Sequence, residues 1–405
     1  MMIRWTTRSW WSTPLSPRQG VAGSNFDRPI SLSAMALAGI AGVVALGLNP
    51  VIATAYVEFL GLSEAQAGYI VAADMAGTAI GTLLVSARVH IWNRRVTAIC
   101  GLAILLVGNL ACLALAAFDS LLVARFIIGT GAGVAAGSMA AGIAATGNPD
   151  RYFGVYTVVT LSTGAMLMAL APRLLISFGI GGLFSMLACI TLPALCLVRH
   201  FPEFAAHRKM SAGGKPSSWR DMPLKAALTV TVATLAYYIG TGGVWPFMSQ
   251  VGRAQGFTIQ ATGNLLAVAQ LFGVAGALVP AVLGTRLGRM APITFSLLAS
   301  TGCLLALLIF ANKLVYALVI QVYMFVWLMF FPYLMGIVSE LDPIGRLAGV
   351  SYALQSVGFA IGPALAALMI PGGGYAALFY LGIGCYLATL LLLLFLARMP
   401  GADAG

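Results

Sequence analysis

Twelve stretches of apolar residues, each long enough to cross a bilayer, follow one another along this chain. They fall at approximately 31–57, 65–87, 95–117, 121–145, 152–175, 181–198, 225–249, 260–284, 291–311, 313–338, 347–370 and 374–397. A helix needs about 20 mostly apolar residues to cross the hydrocarbon. Only helices and closed barrels satisfy their own backbone there. These stretches are continuously apolar, whereas barrel strands alternate, so the expectation is an all-α membrane protein with twelve transmembrane helices. Composition removes the soluble alternative: 60% of residues are hydrophobic and 8% charged, against roughly 25% charge in soluble domains.

The net charge of +11 raises the question of nucleic acid, and its distribution answers it. If the N-terminus is cytoplasmic, 18 of the 22 Lys and Arg fall in cytoplasmic segments. Three (Arg173, Arg253 and Lys313) fall outside, and Arg125 lies within a helix. That is the positive-inside bias that orients membrane proteins, so the partners expected are lipid, a small solute and protons, with no nucleic acid. The six cysteines lie within apolar segments and form no CxxC pair, and His90, His200 and His207 all lie in loops. Neither a metal site, nor a disulfide, nor a cofactor is expected. Residues 1–30 carry Arg and Trp but no apolar core, and read as a cytoplasmic tail touching the inner leaflet rather than a cleaved signal.

The longest polar stretch, 199–224, is rich in Pro, Gly, Ser and Lys, and reads as a linker. It separates a bundle at 31–198 from a second at 225–397, with a short cytoplasmic tail at 398–405. The two halves echo each other at an offset of 195. Gly47 matches Gly242, Gly68 matches Gly263, Gly81 matches Gly276 and Arg94 matches Arg289. Arg151-Tyr152-Phe153-Gly154-Val155 matches Arg346-Leu347-Ala348-Gly349-Val350. Each half has an even number of helices, so the repeats share orientation and are related by an axis along the membrane normal. Gly77…Gly81 and Gly133…Gly137 have the Gly-x-x-x-Gly spacing that lets helices approach closely in lipid.

Leu121-Leu122-Val123-Ala124-Arg125 followed by Gly129, Gly131 and Gly133 resembles the fourth-helix motif of the major facilitator superfamily. Leu283-Gly284-Thr285-Arg286-Leu287-Gly288-Arg289 is similar to that family's cytoplasmic loop signature, G-x-L-x-D-R-x-G-R. With the six-plus-six layout, the resemblance covers residues 31 to 397 and leans toward the drug and sugar efflux permeases. It implies conformational roles for Arg94, Arg286, Gly288 and Arg289. The departures are specific. The loop's acidic position is His90 in one half and Thr285 in the other, which weakens the cytoplasmic latch that the family builds there. The fifth-helix Gly-Pro signature of the family's drug/proton antiporters is missing, with Thr163, Leu167 and Met168 in its place.

Two charges fall inside predicted helices, Asp74 and Arg125. Each costs roughly 2.5–3.5 kcal/mol at a helix centre, so both need company. Arg stays charged because its pKa is above about 12, whereas a carboxyl can take up or release a proton. The reading is Asp74 as proton carrier and Arg125 as the fixed charge beside it, or as the holder of an anionic substrate. Counted along two descending helices, Asp74 should lie roughly 9 Å deeper than Arg125, which favours a water bridge or a state-dependent contact over a static salt bridge. The second half has Ala269 and Ile320 at the equivalent positions. On the family resemblance, with helices 1, 4, 7 and 10 lining the cavity, Asn49, Tyr238, Trp245, Gln270, Gln321 and Gln355 are the candidate substrate contacts. Asn49-Pro50 and Trp245-Pro246 occupy nearly equivalent places, where a proline frees backbone groups beside a cavity.

The leading expectation is therefore a proton-coupled secondary transporter of a small amphipathic compound, acting as a monomer in the plasma membrane and favouring efflux. An uptake symporter for a small organic anion held by Arg125 is the alternative within that class. A non-transporting sensor on the same scaffold is the alternative outside it. An enzyme is not expected, since no His can join a catalytic set within the membrane.

Overall fold

The structure is a computed structural model that describes residues 26–88, 91–203, 224–284, 286–342 and 346–398. His90 and Thr285, the two altered loop positions, lie outside the described residues, as do most of the tail and linker. Among the described residues ten helices are long and apolar enough to span a membrane. Two of these, Pro149–Leu197 with 49 residues and Arg346–Ala397 with 52, would each be more than 70 Å long if straight, far beyond a hydrocarbon core of ~30 Å. Each is interrupted by one glycine in a left-handed conformation: Gly179 at φ 60° and Gly374 at φ 56°. A side chain is disfavoured at that φ and glycine is not. The chain reverses there, as the approach of Gly182 to the carbonyl of Leu174 shows. The ten long helices are therefore twelve spans, as expected.

In chain order these are α1 (Pro29–Leu60), α2 (Glu64–Arg88), α3 (Arg94–Ala111), α4 (Phe118–Ala144), α5 (149–178) and α6 (180–197) in the first bundle. The second holds α7 (Leu224–Val244), α8 (Ile259–Leu283), α9 (Met290–Ile309), α10 (Lys313–Leu341), α11 (346–373) and α12 (375–397). The seventh crossing is completed by a 3-10 turn at Trp245–Phe247 and a short helix at Met248–Ala254. Pro246 forces that break, because it has no N–H to give.

The 195-residue echo governs packing as well as sequence. A Cβ on Gly81 would strike the carbonyl of Thr130, and one on Gly276 would strike that of Phe325. Donor and target both move by the same offset, so α2 sits on α4 as α8 sits on α10. The two hairpin glycines, Gly179 and Gly374, obey it too. Behind them the buried pair Leu183-Phe184 repeats as Leu378-Phe379.

The halves meet at the end of the helices opposite the tail and linker, here called the far face. Glu58 at the end of α1 accepts from Arg253 Nε at 2.5 Å. The Tyr375 hydroxyl, opening α12, donates to Glu64 at the start of α2. Gln260 Nε2 on α8 donates to the Ala169 carbonyl on α5 at 3.1 Å. Gly68 packs against Phe247 and Ala367, and its equivalent Gly263 against Pro172. Glu58 and Arg253 are themselves 195 apart, so each touches its own counterpart. Such a pair must stand on the axis relating the halves. One turn below them on each helix are Thr54 and Ser249, and one turn lower again Pro50 and Trp245. The line through these matched positions, on α1 and the broken end of the seventh crossing, is here called the seam.

Candidate functional site

A cavity of about 250 Å³ lies mid-membrane between the halves. From the first half it takes Val43, Val44, Leu46 and Gly47 on α1, and Tyr156, Thr157, Thr160, Leu161 and Gly164 on α5. From the second it takes Tyr238 on α7, Trp245 in the break after it, Gln270 on α8, Met324, Trp327, Leu328 and Phe331 on α10, and Gln355 and Phe359 on α11. None of these lining residues carries a charge. The aromatic wall is continuous. Trp245 meets Trp327 edge-on with centroids 5.5 Å apart, and Tyr238 contacts Phe359 at 5.0 Å and Phe331 at 6.2 Å. Offset and edge-to-face geometry of this kind stabilises such rings beyond their burial alone.

Of the candidate substrate contacts, Tyr238, Trp245, Gln270 and Gln355 line this cavity. Asn49 and Gln321 do not. Asn49 is buried on α1 with neither end of its amide bonded. Gln321 instead donates to the Leu265 carbonyl at 3.1 Å, tying α10 to α8. An intramembrane amide can serve as glue between helices as readily as a cavity contact, and spacing alone does not separate the two. Trp245 turns out to have a second task. Pro50 has no N–H for the carbonyl four residues before it, Leu46, and the Trp245 indole donates to that carbonyl across the seam at 3.2 Å. The second half supplies the bond that a proline in the first half removes.

Asp74 and Arg125 are 3% and 1% exposed and form a direct ion pair, which corrects the expectation of a bridged or intermittent contact. The offset was overestimated. Gly129 packs its backbone onto the Asp74 carbonyl, so Arg125 starts only one turn, roughly 5–6 Å, nearer the far face. The Asp74 side chain tilts toward the start of its helix, and hence toward Arg125. Arg125 also donates to Asn109 Oδ1 at 3.3 Å, while Asn109 Nδ2 donates to the Leu105 carbonyl at 2.8 Å. Tyr56 on α1 is buried near enough to feel both charges, its hydroxyl unbonded. The whole group lies among α1 to α4, behind the cavity wall rather than in it. Nothing in the sequence ties the Asn109 amide to Arg125, 16 residues away on the next helix.

On the tail side, Arg289 pairs with Glu340, and Gly288 makes its loop turn at φ 67°. The Arg286 N–H donates to the Leu283 carbonyl at 3.2 Å. Arg94 lies over Phe26 at 5.7 Å, and its backbone N–H donates to the Glu203 carbonyl at 2.9 Å. None of these contacts joins one bundle to the other.

Two six-helix bundles closed at one face around a mid-membrane cavity define a secondary transporter. The family follows from sequence: the Major Facilitator Superfamily model matches residues 31–350, and the chain belongs to that superfamily. In structure it is similar to the D-xylose-proton symporter, with a TM-score of 0.72, 15% identity, and coverage of 93% of this chain and 98% of the other. It is also similar to the human organic anion transporter MFSD10 (TETRAN), with a TM-score of 0.64, 16% identity, and coverage of 90% and 99%. At those identities the likeness is one of fold. No curated protein matches the chain in sequence.

Proposed function

We propose that this protein couples proton movement to export of a small amphipathic compound, as a monomer in the plasma membrane with both termini cytoplasmic. The observation that carries the coupling is the Asp74–Arg125 pair, sealed from water inside one bundle. As an ion pair it is neutral overall. Protonating Asp74 leaves the Arg125 charge buried and unpaired, and breaking such a pair costs about 3–5 kcal/mol. That cost is a bias against the conformation seen here, and so a means of driving the bundles to another one. The pair also occupies Arg125, which speaks against an anionic substrate held by that residue. The uncharged aromatic cavity favours an amphipathic one. A proton-coupled protein among the structural relatives is in keeping with this reading.

The test is reconstitution in liposomes with an imposed pH gradient, reading internal pH with a trapped dye against a panel of small aromatic compounds. Asp74→Asn is expected to abolish gradient-driven accumulation and leave counterflow exchange partly intact. Unchanged pH coupling in that variant removes Asp74 as the carrier.

A further inference from the structure

The cavity contains three buried polar groups whose hydrogen bonding is not completed within the protein. Tyr156 and Thr160 are one turn apart on α5, and their hydroxyls face one another without closing a hydrogen bond of normal geometry. Gly164, one further turn along, leaves a gap that Gln270 fills from the opposite bundle. A Cβ on Gly164 would lie 2.5 Å from Gln270 Oε1, and one on Gly47 would lie 3.5 Å from it. Gln270 Nε2 is buried and unbonded, and the residue is 2% exposed. Buried polar groups are nearly always hydrogen-bonded, so an unbonded amide beside an incompletely bonded hydroxyl pair calls for an occupant. The rest of the wall is aromatic or aliphatic except for Thr157, whose hydroxyl donates to the Phe153 carbonyl, and the partly exposed Gln355. Trp245, which has a donor to offer, has already given it to Leu46.

We infer that the cavity takes a neutral, mostly aromatic solute bearing one hydrogen-bond acceptor, a carbonyl or ether oxygen, and that Gln270 Nε2 and the Tyr156–Thr160 hydroxyl pair, one hydroxyl bonding the other, supply the two donors that receive it. The specificity residues then come from both bundles: α5 supplies one donor and α8 the other. An ionised substrate would find no charge to pair with in this wall and would have to shed its hydration. A flat ring fits the slot between the aromatic wall on α7, α10 and α11 and the small residues of α5. This inference rests on the cavity being the transport site proposed above.

The test uses purified, detergent-solubilised full-length protein and two probes of nearly equal shape, 2-acetylnaphthalene and 2-ethylnaphthalene, with binding read from quenching of Trp fluorescence. Wild type is expected to prefer the acetyl compound about 10-fold, the scale of one to two neutral hydrogen bonds. Tyr156→Phe, Thr160→Val and Gln270→Met each remove one polar group at nearly constant volume, so packing is retained. Each is expected to cut the preference to about 3-fold or less without changing affinity for the ethyl compound. Equal affinities in wild type, no binding of either probe, or a preference that survives all three substitutions would overturn the inference. Binding here needs no gradient. Failure therefore leaves Asp74-dependent coupling untouched, and failure of that coupling leaves the probe preference standing.

Discussion

The two halves share one backbone plan and divide the chemistry between them. At matched positions of the cavity wall the first half is small and the second is bulky: Val43 against Tyr238, Thr160 against Gln355, Gly164 against Phe359. Behind the wall the imbalance reverses. The first half buries Asp74, Asn109 and Arg125, where the second has Ala269, Leu304 and Ile320. In place of ions, the core of the second half holds a hydroxyl chain, Thr241 to Tyr386 at 3.2 Å and Tyr386 to Tyr323. Symmetry thus sets where the helices go, and its local failures set what each bundle does. The first is the one that buries charge. The second is built to present a stiff aromatic surface.

The comparison breaks most visibly at Arg125. Arg125→Ala leaves Asp74 buried and alone, and is expected to cost about 3–5 kcal/mol, read as a fall in thermal stability of the purified protein. Asp74→Asn combined with Arg125→Met removes both charges. It is expected to recover most of that stability while gradient-driven transport stays absent. Next in size is the wall. Gly164→Leu places a second-half bulk in the first-half slot and should push Gln270 out. Affinity for an aromatic probe should fall by about 100-fold or more, whereas Phe359→Leu should change it only several-fold.

Smaller again is the bond across the seam. Trp245→Phe keeps the ring but leaves the Leu46 carbonyl unpaired, at an expected cost of about 1–3 kcal/mol. A stability measurement checks this, with Trp327→Phe as the control that removes no such bond. The smallest effect belongs to Glu58–Arg253, a partly exposed pair worth about 0.2–1 kcal/mol. Glu58→Arg is expected to shift spin-label distances at the far face toward separation, and the exchanged double variant Glu58→Arg, Arg253→Glu to restore them.

The spans, the six-plus-six layout and the repeat were all legible in the sequence, because lipid allows so few backbone solutions that apolar length nearly dictates the fold. The hairpins at Gly179 and Gly374 were less so. A glycine inside an apolar run signals equally a packing face or a turn, and only their shared offset separates the two. At the site, Tyr238, Trp245, Gln270 and Gln355 could be read from helix number and polarity. Gln321 could not be told from them, since its carbonyl partner Leu265 becomes a neighbour only once α8 and α10 pack. The direct ion pair is not legible in the sequence, because hydropathy boundaries fix helix depth only to within about a turn. The true register is set by Gly129 against Asp74, a contact between backbones that carries no signature of its own.

The pair on the axis has a consequence for how such a chain can exist at all. In an assembly of two identical six-helix proteins, whatever residue stands on the two-fold axis faces a copy of itself. A glutamate there would meet a glutamate, and an arginine an arginine. Glu58 and Arg253 attract only because the two positions are encoded separately in one polypeptide. That axial ion pair is therefore a property of the fused chain, one that neither half could acquire by pairing with itself.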